Sequence, residues 1–247
     1  MLGSSASISG CNVVINTAVA ESLRQYADIL ENAEDFELAL HDLIKSIIKN
    51  HKRIIFNGNG YDEAWVREAE KRGLLNLPST PDCVPCYLSE KNVELFTRHA
   101  VYSQVELKAR HEMKLDTYKK VIHIEADTMA SMVRKLYLPS VSRYEKFLAD
   151  SMSSAKAQGI AKMPFEEETL ASLSKLSEEA YGAMLKIESD LKVLDGDGAN
   201  IELARFCRDR VLPDMAALRR AVDEMEKITS YEYWPVPSYG DVMFSVK

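Results

Sequence analysis

The chain has 247 residues, of which 46% are hydrophobic and 28% are charged, so it is long enough to bury one large core or two small ones. Its net charge of −7 argues against nucleic acid as the main partner, because phosphate backbones are bound by concentrated lysine and arginine. No apolar run approaches the ~20 residues of a membrane span, the first residues lack the pattern of a signal peptide, and four scattered cysteines form no disulfide framework. We therefore expect a cytoplasmic protein with no membrane and no nucleic-acid partner.

The first fifty residues have the pattern of two amphipathic helices. Apolar residues recur at helical spacing from Asn12 to Asn32, which predicts the first helix. The second is predicted from Asp35 to Asn50, with the Asp35 carboxylate placed to cap its first turn.

The next segment mixes a short apolar run, glycines and prolines. Arg53–Phe56 is too short to classify by periodicity, and it fits either a strand or an extended loop. A helix is predicted from Asp62 to Lys71, with Gly73 at the position where glycine commonly ends a helix. Residues 74–88 contain three prolines and indicate a loop with at most a short helical turn.

The longest periodic run predicts a helix from near Ser103 to just before Pro139, because the residue before a proline disfavours helical backbone. Its apolar seam follows steps of three and four residues. The seam comprises Leu115, Tyr118, Ile122, Glu125, Met129, Met132 and Leu136. Glu125 is the polar member, so it either reaches water at the edge of the seam or is buried beside a cation.

A small, polar stretch from Ser151 to Pro164 predicts the main internal break of the chain. Two further seams follow, with a turn at Asp195–Gly198 between them. Together they predict an antiparallel helical hairpin over Ala171–Ile228, with Pro213 bending or breaking its second helix. The aromatic segment from Tyr231 onward is too hydrophobic for a free tail, so it should pack on the body or on a neighbouring subunit. The predicted fold class is mainly α, a long-helix bundle with a helical hairpin and little or no β.

Two glycine-containing turns invite a ligand-binding interpretation. The Gly58–Gly60 turn lacks the third glycine of a dinucleotide fingerprint, since Glu63 stands there, and no Walker lysine follows. A tight turn with Asp62 capping the next helix is the favoured interpretation. The Asp195–Gly198 turn begins like a calcium loop, but Ala199, Asn200 and Phe206 stand where ligands and a glycine are required. A solvated turn between helices is favoured there.

The remaining candidate residues do not assemble into a recognisable site. Cys83 and Cys86 have the spacing of half a zinc site, but no second pair accompanies them. The five histidines show no metal-binding spacing, and they are His41, His51, His99, His111 and His123. Acidic clusters at 166–168 and 178–179 have the usual pattern of solvated helix faces. We therefore assign no catalytic, cofactor-binding or metal-binding residue.

Several short motifs resemble those of one enzyme family. They are Lys52–Trp65, Thr80-Pro81-Asp82, Ser89–Asn92, Ile124–Met129 and Trp234–Asp241. In order and spacing they are similar to the C-terminal part of type III glutamine synthetases. Residues Gly3–Thr17, with Gly-Ser-Ser-x-Ser-Ile and Asn-Val-Val-Ile-Asn-Thr, resemble the end of the catalytic domain in that family.

The resemblance implies a division at residue 51. Residues 1–51 would form the helical end of the catalytic domain, and residues 52–247 the type III C-terminal helical domain. The family activity is ATP-dependent ligation of ammonia to glutamate, with ATP and Mg²⁺, in a large oligomer. The family's metal ligands and nucleotide pocket precede the part that this chain resembles, so we expect the chain to bind none of these cofactors and to be inactive alone.

The expected role is therefore structure and subunit assembly, with the rest of the synthetase or further copies of the chain as partners. Met1 would then be an internal methionine of a longer gene or a true start. A stand-alone helical protein-interaction module is the alternative. An independent enzyme using the Gly58–Gly60 turn is weakly supported, because no acid, base or nucleophile accompanies that turn.

Overall fold

The computed structural model describes residues 7–160, 162–196, 198 and 200–244. Parts of two sequence motifs, Gly3–Ala6 and the turn residues Asp197 and Ala199, lie outside the described residues. The described residues form helices and loops without a strand, which confirms the mainly α fold class. The chain divides into two compact units, residues 1–114 and residues 115–247.

The described part of the first unit, residues 7–114, contains five helices and the start of a sixth. They are α1 (Ser9–Leu30), α2 (Phe36–His51), α3 (Glu63–Lys71), α4 (Thr80–Cys83), α5 (Glu90–Arg98) and α6 (Gln104–Met132), with 3₁₀ turns at Lys52–Ile54 and Val84–Leu88. Both predicted caps are confirmed. The Leu38 N–H donates to the Asp35 carboxylate at 3.1 Å, and the Ala64 N–H donates to that of Asp62 at 2.8 Å.

The segment before α3 is loop rather than strand. Lys52–Ile54 forms a 3₁₀ turn, and the Phe56 ring stacks on the Trp65 ring with centroids 3.9 Å apart. The run packs through Phe56 alone, because Ile54 and Ile55 remain 57% and 52% exposed. Gly73 has φ of +72° and follows Arg72, the C-cap of α3, as expected for a glycine that ends a helix.

The first unit has few fully buried side chains. Val84, Phe96 and Leu107 are almost completely buried, whereas α2 contains no buried residue and α1 only Thr17. Most of the apolar surface of α1 and α2 therefore lies outside the core of this unit.

The second unit contains the end of α6 and the helices α7 (Leu138–Ala157), α8 (Pro164–Leu194), α9 (Ile201–Phe206), α10 (Leu212–Ile228) and α11 (Tyr239–Phe244). Helices α8 and α10 run antiparallel, since the Ser177 hydroxyl lies 3.8 Å from the Met225 sulfur and the Arg210 side chain lies 3.6 Å from Asp190. Their facing seams form the centre of one hydrophobic core. Its fully buried members include Leu173, Met184, Ile187, Leu194, Val211, Leu218 and Met225.

Two prolines that were predicted to end, bend or break a helix each follow a π-helical turn. The first turn is Val133–Tyr137, separated from Pro139 by Leu138, and the second is Cys207–Val211, separated from Pro213 by Leu212. A proline lacks the N–H that an α-helix needs, and the wider i→i+5 turn moves the carbonyl that would otherwise clash with its ring. The prediction that a helix ends before Pro139 is therefore wrong, because α7 continues through it to Ala157.

The break between α7 and α8 is shorter than predicted. Helix α7 extends through Ser151 to Ala157, Gly159 has φ of +82°, and α8 begins at Pro164. After α10 the chain packs back on the second unit, as expected from its aromatic content. The Trp234 ring lies 5.2 Å from that of Tyr137, and the Tyr233 ring lies 5.2 Å from that of Tyr144.

Candidate functional site

Side chains with catalytic or metal-binding chemistry are dispersed over the described residues. Among these residues, no group of three or more His, Cys, Asp and Glu side chains is placed to hold a metal ion. Cys83 and Cys86 are free thiols, and burial raises the pKa of the Cys83 thiol, which disfavours a reactive thiolate. None of the described helices has the length and apolar content needed to cross a membrane.

The Gly58–Gly60 turn is shaped by packing. A Cβ atom added at Gly58 would lie 2.6 Å from the Phe56 ring, so the glycine permits the ring to fold under the turn. The Asn59 side chain accepts a hydrogen bond from the Tyr61 N–H at 3.0 Å, and Asp62 begins α3. The geometry supports the interpretation of a capped tight turn over that of a phosphate loop.

The turn at Asp195–Gly198 is held by a lysine of the chain itself. The buried Lys119 ammonium donates to the Gly196 carbonyl at 2.7 Å and to the Gly198 carbonyl at 2.9 Å. His123, one turn further along α6, lies 3.2 Å from the Asp195 carboxylate. These two carbonyls could have bound a metal cation, but they accept from Lys119 instead. The turn therefore has a structural role.

The polar member of the α6 seam is Lys119 and not Glu125. Glu125 is exposed, which confirms the edge alternative, and the buried side chains of the seam are Leu115, Lys119, Ile122, Ala126 and Ala130. The buried face includes the small residues Ala126 and Ala130, which the predicted seam of large side chains left out. The sequence pattern missed Lys119, although it lies between Leu115 and Ile122 at helical spacing.

A second polar network joins α1 to α5 around Glu21. The Glu21 carboxylate contacts the Arg98 guanidinium and the His99 imidazole, each at 2.7 Å, and it also accepts from Arg24 and Gln25 on its own helix. Hydrogen bonds from Arg24, Gln25 and His99 hold the pKa of Glu21 well below its usual range. The spacing of Glu21, Arg24 and Gln25 was visible in the sequence, but their tertiary partners on α5 were not.

Helix α1 has an exposed apolar surface. We define the α1 stripe as Ile15, Val19 and Leu23, which follow one another at four-residue spacing. Their side chains are 59%, 52% and 61% exposed. Helix α2 adds further exposed apolar residues, namely Phe36, Leu38, Ile44 and Ile48. Contiguous apolar surface of this kind marks an interaction site in soluble proteins.

Comparison with known proteins identifies what the chain is similar to. A family model described as "Glutamine synthetase C-terminal domain" matches residues 39–156. The chain is 37% identical to a glutamine synthetase of Butyrivibrio fibrisolvens, over 87% of the chain and 31% of that protein. It is 34% identical to the type-3 glutamine synthetase of Dictyostelium discoideum, over 98% of the chain and 34% of that protein.

A glutamine synthetase of Bacteroides fragilis is 24% identical over 98% of the chain and 35% of its own length. The chain thus spans about a third of the length of the relatives it matches. These matches confirm the resemblance to the C-terminal region of type III glutamine synthetases that the sequence motifs indicate.

Proposed function

We propose that this chain is the C-terminal part of a type III glutamine synthetase, and that it serves structure and subunit assembly. The reaction of the whole enzyme would be ATP-dependent ligation of ammonia to glutamate, giving glutamine. The residues that perform it would lie in the catalytic part, outside this chain. The chain would work in the cytoplasm, within a homo-oligomer or bound to the rest of the synthetase.

The observation that carries this proposal is the exposed α1 stripe. Each large aliphatic side chain that moves from water into an interface contributes about 1.5–3 kcal/mol, so leaving three of them exposed forgoes several kcal/mol. Residues 7–17 are also the described part of the segment that resembles the end of the catalytic domain. We therefore place the α1 stripe at the surface where the catalytic part packs.

ATP and Mg²⁺ would belong to the catalytic part. Among the described residues, no group of three or more His, Cys, Asp and Glu side chains is placed to hold a metal ion. We therefore assign no chemical step to these residues. The boundary at residue 51, between a helical end of the catalytic domain and the C-terminal helical domain, is part of the proposal.

A stand-alone helical interaction module is the second candidate, because an exposed apolar stripe also suits binding of an unrelated protein. The two candidates differ in partner. A synthetase part should bind the catalytic portion of a close relative, whereas an independent module should not.

The test uses the glutamine synthetase of Butyrivibrio fibrisolvens truncated to remove the third that this chain matches. Formation of γ-glutamyl hydroxamate is measured with ATP and magnesium for the chain alone, the truncated relative alone, and the mixture. We expect no activity from the chain alone, because charge stabilisation and positioning supply most of phosphoryl-transfer catalysis. We expect the mixture to exceed the truncated relative.

Activity of the purified chain alone would refute the assignment of catalysis to the other part. A mixture no more active than the truncated relative, together with no detectable complex, would favour the stand-alone module.

A further inference from the structure

We propose that a cavity in the first unit binds an organic anion, with a phosphate or carboxylate group on an apolar body. The cavity has a volume of about 420 Å³ and lies between the start of α1 and the residues that begin α6. This volume is within the range of small-molecule sites. Ile15 of the α1 stripe also lines the cavity.

Two cations one helical turn apart on α6 face this cavity. The Arg110 guanidinium lies 4.1 Å from the centre of the Tyr102 ring, and the Lys114 ammonium lies 5.7 Å from the centre of the Tyr87 ring. The aromatic rings hold both side chains in place without neutralising their charge. Two positioned positive charges are the arrangement that recognises a phosphate or a carboxylate.

The hydrogen-bonding capacity of Arg110 is incompletely used. Its Nε–H is buried and has no hydrogen-bond partner among the residues that the structure describes. A buried donor without an acceptor is unfavourable, so an anion that accepts from it would gain more than at an exposed arginine.

Nearby acidic side chains do not neutralise the charges of Arg110 and Lys114. The lining of the cavity contains no aspartate or glutamate among the described residues, although the whole chain has 38 acidic against 31 basic side chains. Glu106, one turn before Arg110, directs its carboxylate to the N–H and hydroxyl of Ser103, at 2.8 and 2.9 Å. It interacts with Arg110 through its charge and makes no hydrogen bond or ion pair with it within the described structure.

The other walls fit the rest of such a ligand. Val14 and Met113 supply apolar surface for an aliphatic or aromatic body. The first turn of α1 also borders the cavity, and it has no acidic residue and no side-chain cap, so its N–H groups add to the positive potential. The Ser7 hydroxyl donates to the Ser9 hydroxyl at 2.9 Å and accepts from the Ser9 N–H at 3.3 Å, so it occupies one N–H at the start of α1 and leaves those that follow.

The test is calorimetric titration of the 247-residue chain at low ionic strength with phenyl phosphate, benzoate and inorganic phosphate. We expect phenyl phosphate or benzoate to bind more tightly than inorganic phosphate, because only the organic anions fill the apolar part of the cavity. The stronger of the two identifies the anionic group.

Three variants test whether the organic anion binds in this cavity. Arg110→Gln and Lys114→Gln should each weaken it by roughly tenfold or more, the loss typical of a charge-assisted hydrogen bond. Lys108→Gln is the matched control, since it removes the same charge from an exposed position of α6 outside the cavity. The melting temperature shows whether Arg110→Gln unfolds the first unit. If it does, Lys114→Gln still tests the cavity. Absence of binding at millimolar phenyl phosphate and benzoate, or an equal loss in Lys108→Gln, would overturn the proposal.

Discussion

Truncating Ile187 should destabilise the second unit, because this side chain lies at the centre of the α8–α10 core. It is fully buried, in the same cluster as Met184, Leu191 and Leu218. Ile187→Ala removes several buried carbon atoms and leaves a cavity, for which losses of about 2–5 kcal/mol are typical. At about 3–4 °C per kcal/mol for a unit of this size, the melting temperature should fall by about 6–20 °C.

The assay is differential scanning calorimetry at pH 7, with two reference variants. Val193→Ala, on the same helix but 53% exposed, should change the free energy of unfolding by less than about 0.5 kcal/mol. Ile187→Val should cost about 0.5–1.5 kcal/mol, because it removes a single carbon. An unchanged melting temperature in Ile187→Ala, or an equal loss in Val193→Ala, would refute the assignment of Ile187 to this core. Ile187→Asp should be at least as damaging, because it would bury an unpaired charge.

Three further predictions concern the helix turns and the polar networks. Pro213→Ala should change the free energy of unfolding by less than about 1 kcal/mol, because the π turn already accommodates the proline ring. Ala216→Pro, inside α10, should lower it by about 3 kcal/mol. Urea denaturation of both variants measures the two changes. Burial and the neighbouring Asp214 raise the pKa of Asp190 above its ordinary 3.8, so its charged form costs stability. Asp190→Asn should therefore raise the melting temperature at pH 7, with the gain shrinking as the pH falls toward 3.8. The pKa of Glu21 is lowered from 4.5, so the stability that its carboxylate contributes is present above pH 4.5 and is lost as the pH falls through the lowered pKa. Glu21→Gln should therefore lower the melting temperature at pH 7. The difference in melting temperature between the variant and the wild type should narrow in acid. A difference in melting temperature that stays constant as the pH falls would contradict the prediction for Asp190→Asn or for Glu21→Gln, whichever variant shows it.

Local signals in the sequence were sufficient for most helices and their caps. Asp35 and Asp62 precede apolar periodic runs, and the capping carboxylate acts on its own next turn, so no tertiary information is needed. The buried seams of α8 and α10 also followed from spacing, because each helix has one continuous apolar face.

Features that depend on tertiary partners could not be read from the sequence. Pro139 and Pro213 signal helix ends locally, but helical backbone continues past each of them after a π turn. Lys119 binds two carbonyls that are 77 and 79 residues away along the chain, and Glu21 contacts His99, which is 78 residues away. The cavity beside Arg110 likewise depends on α1 and α6 meeting.

The central claim is that α1 presents its apolar stripe to the catalytic part of a synthetase. The most direct measurement is sedimentation velocity of the chain mixed with the truncated Butyrivibrio fibrisolvens relative. Leu23→Glu changes the stripe, and Leu75→Glu makes the same substitution at an 83% exposed leucine of the same unit, outside the stripe. We predict that the wild-type chain and Leu75→Glu form a complex with the relative and that Leu23→Glu does not. Absence of a complex with the wild-type chain, or undiminished binding by Leu23→Glu, would contradict the claim.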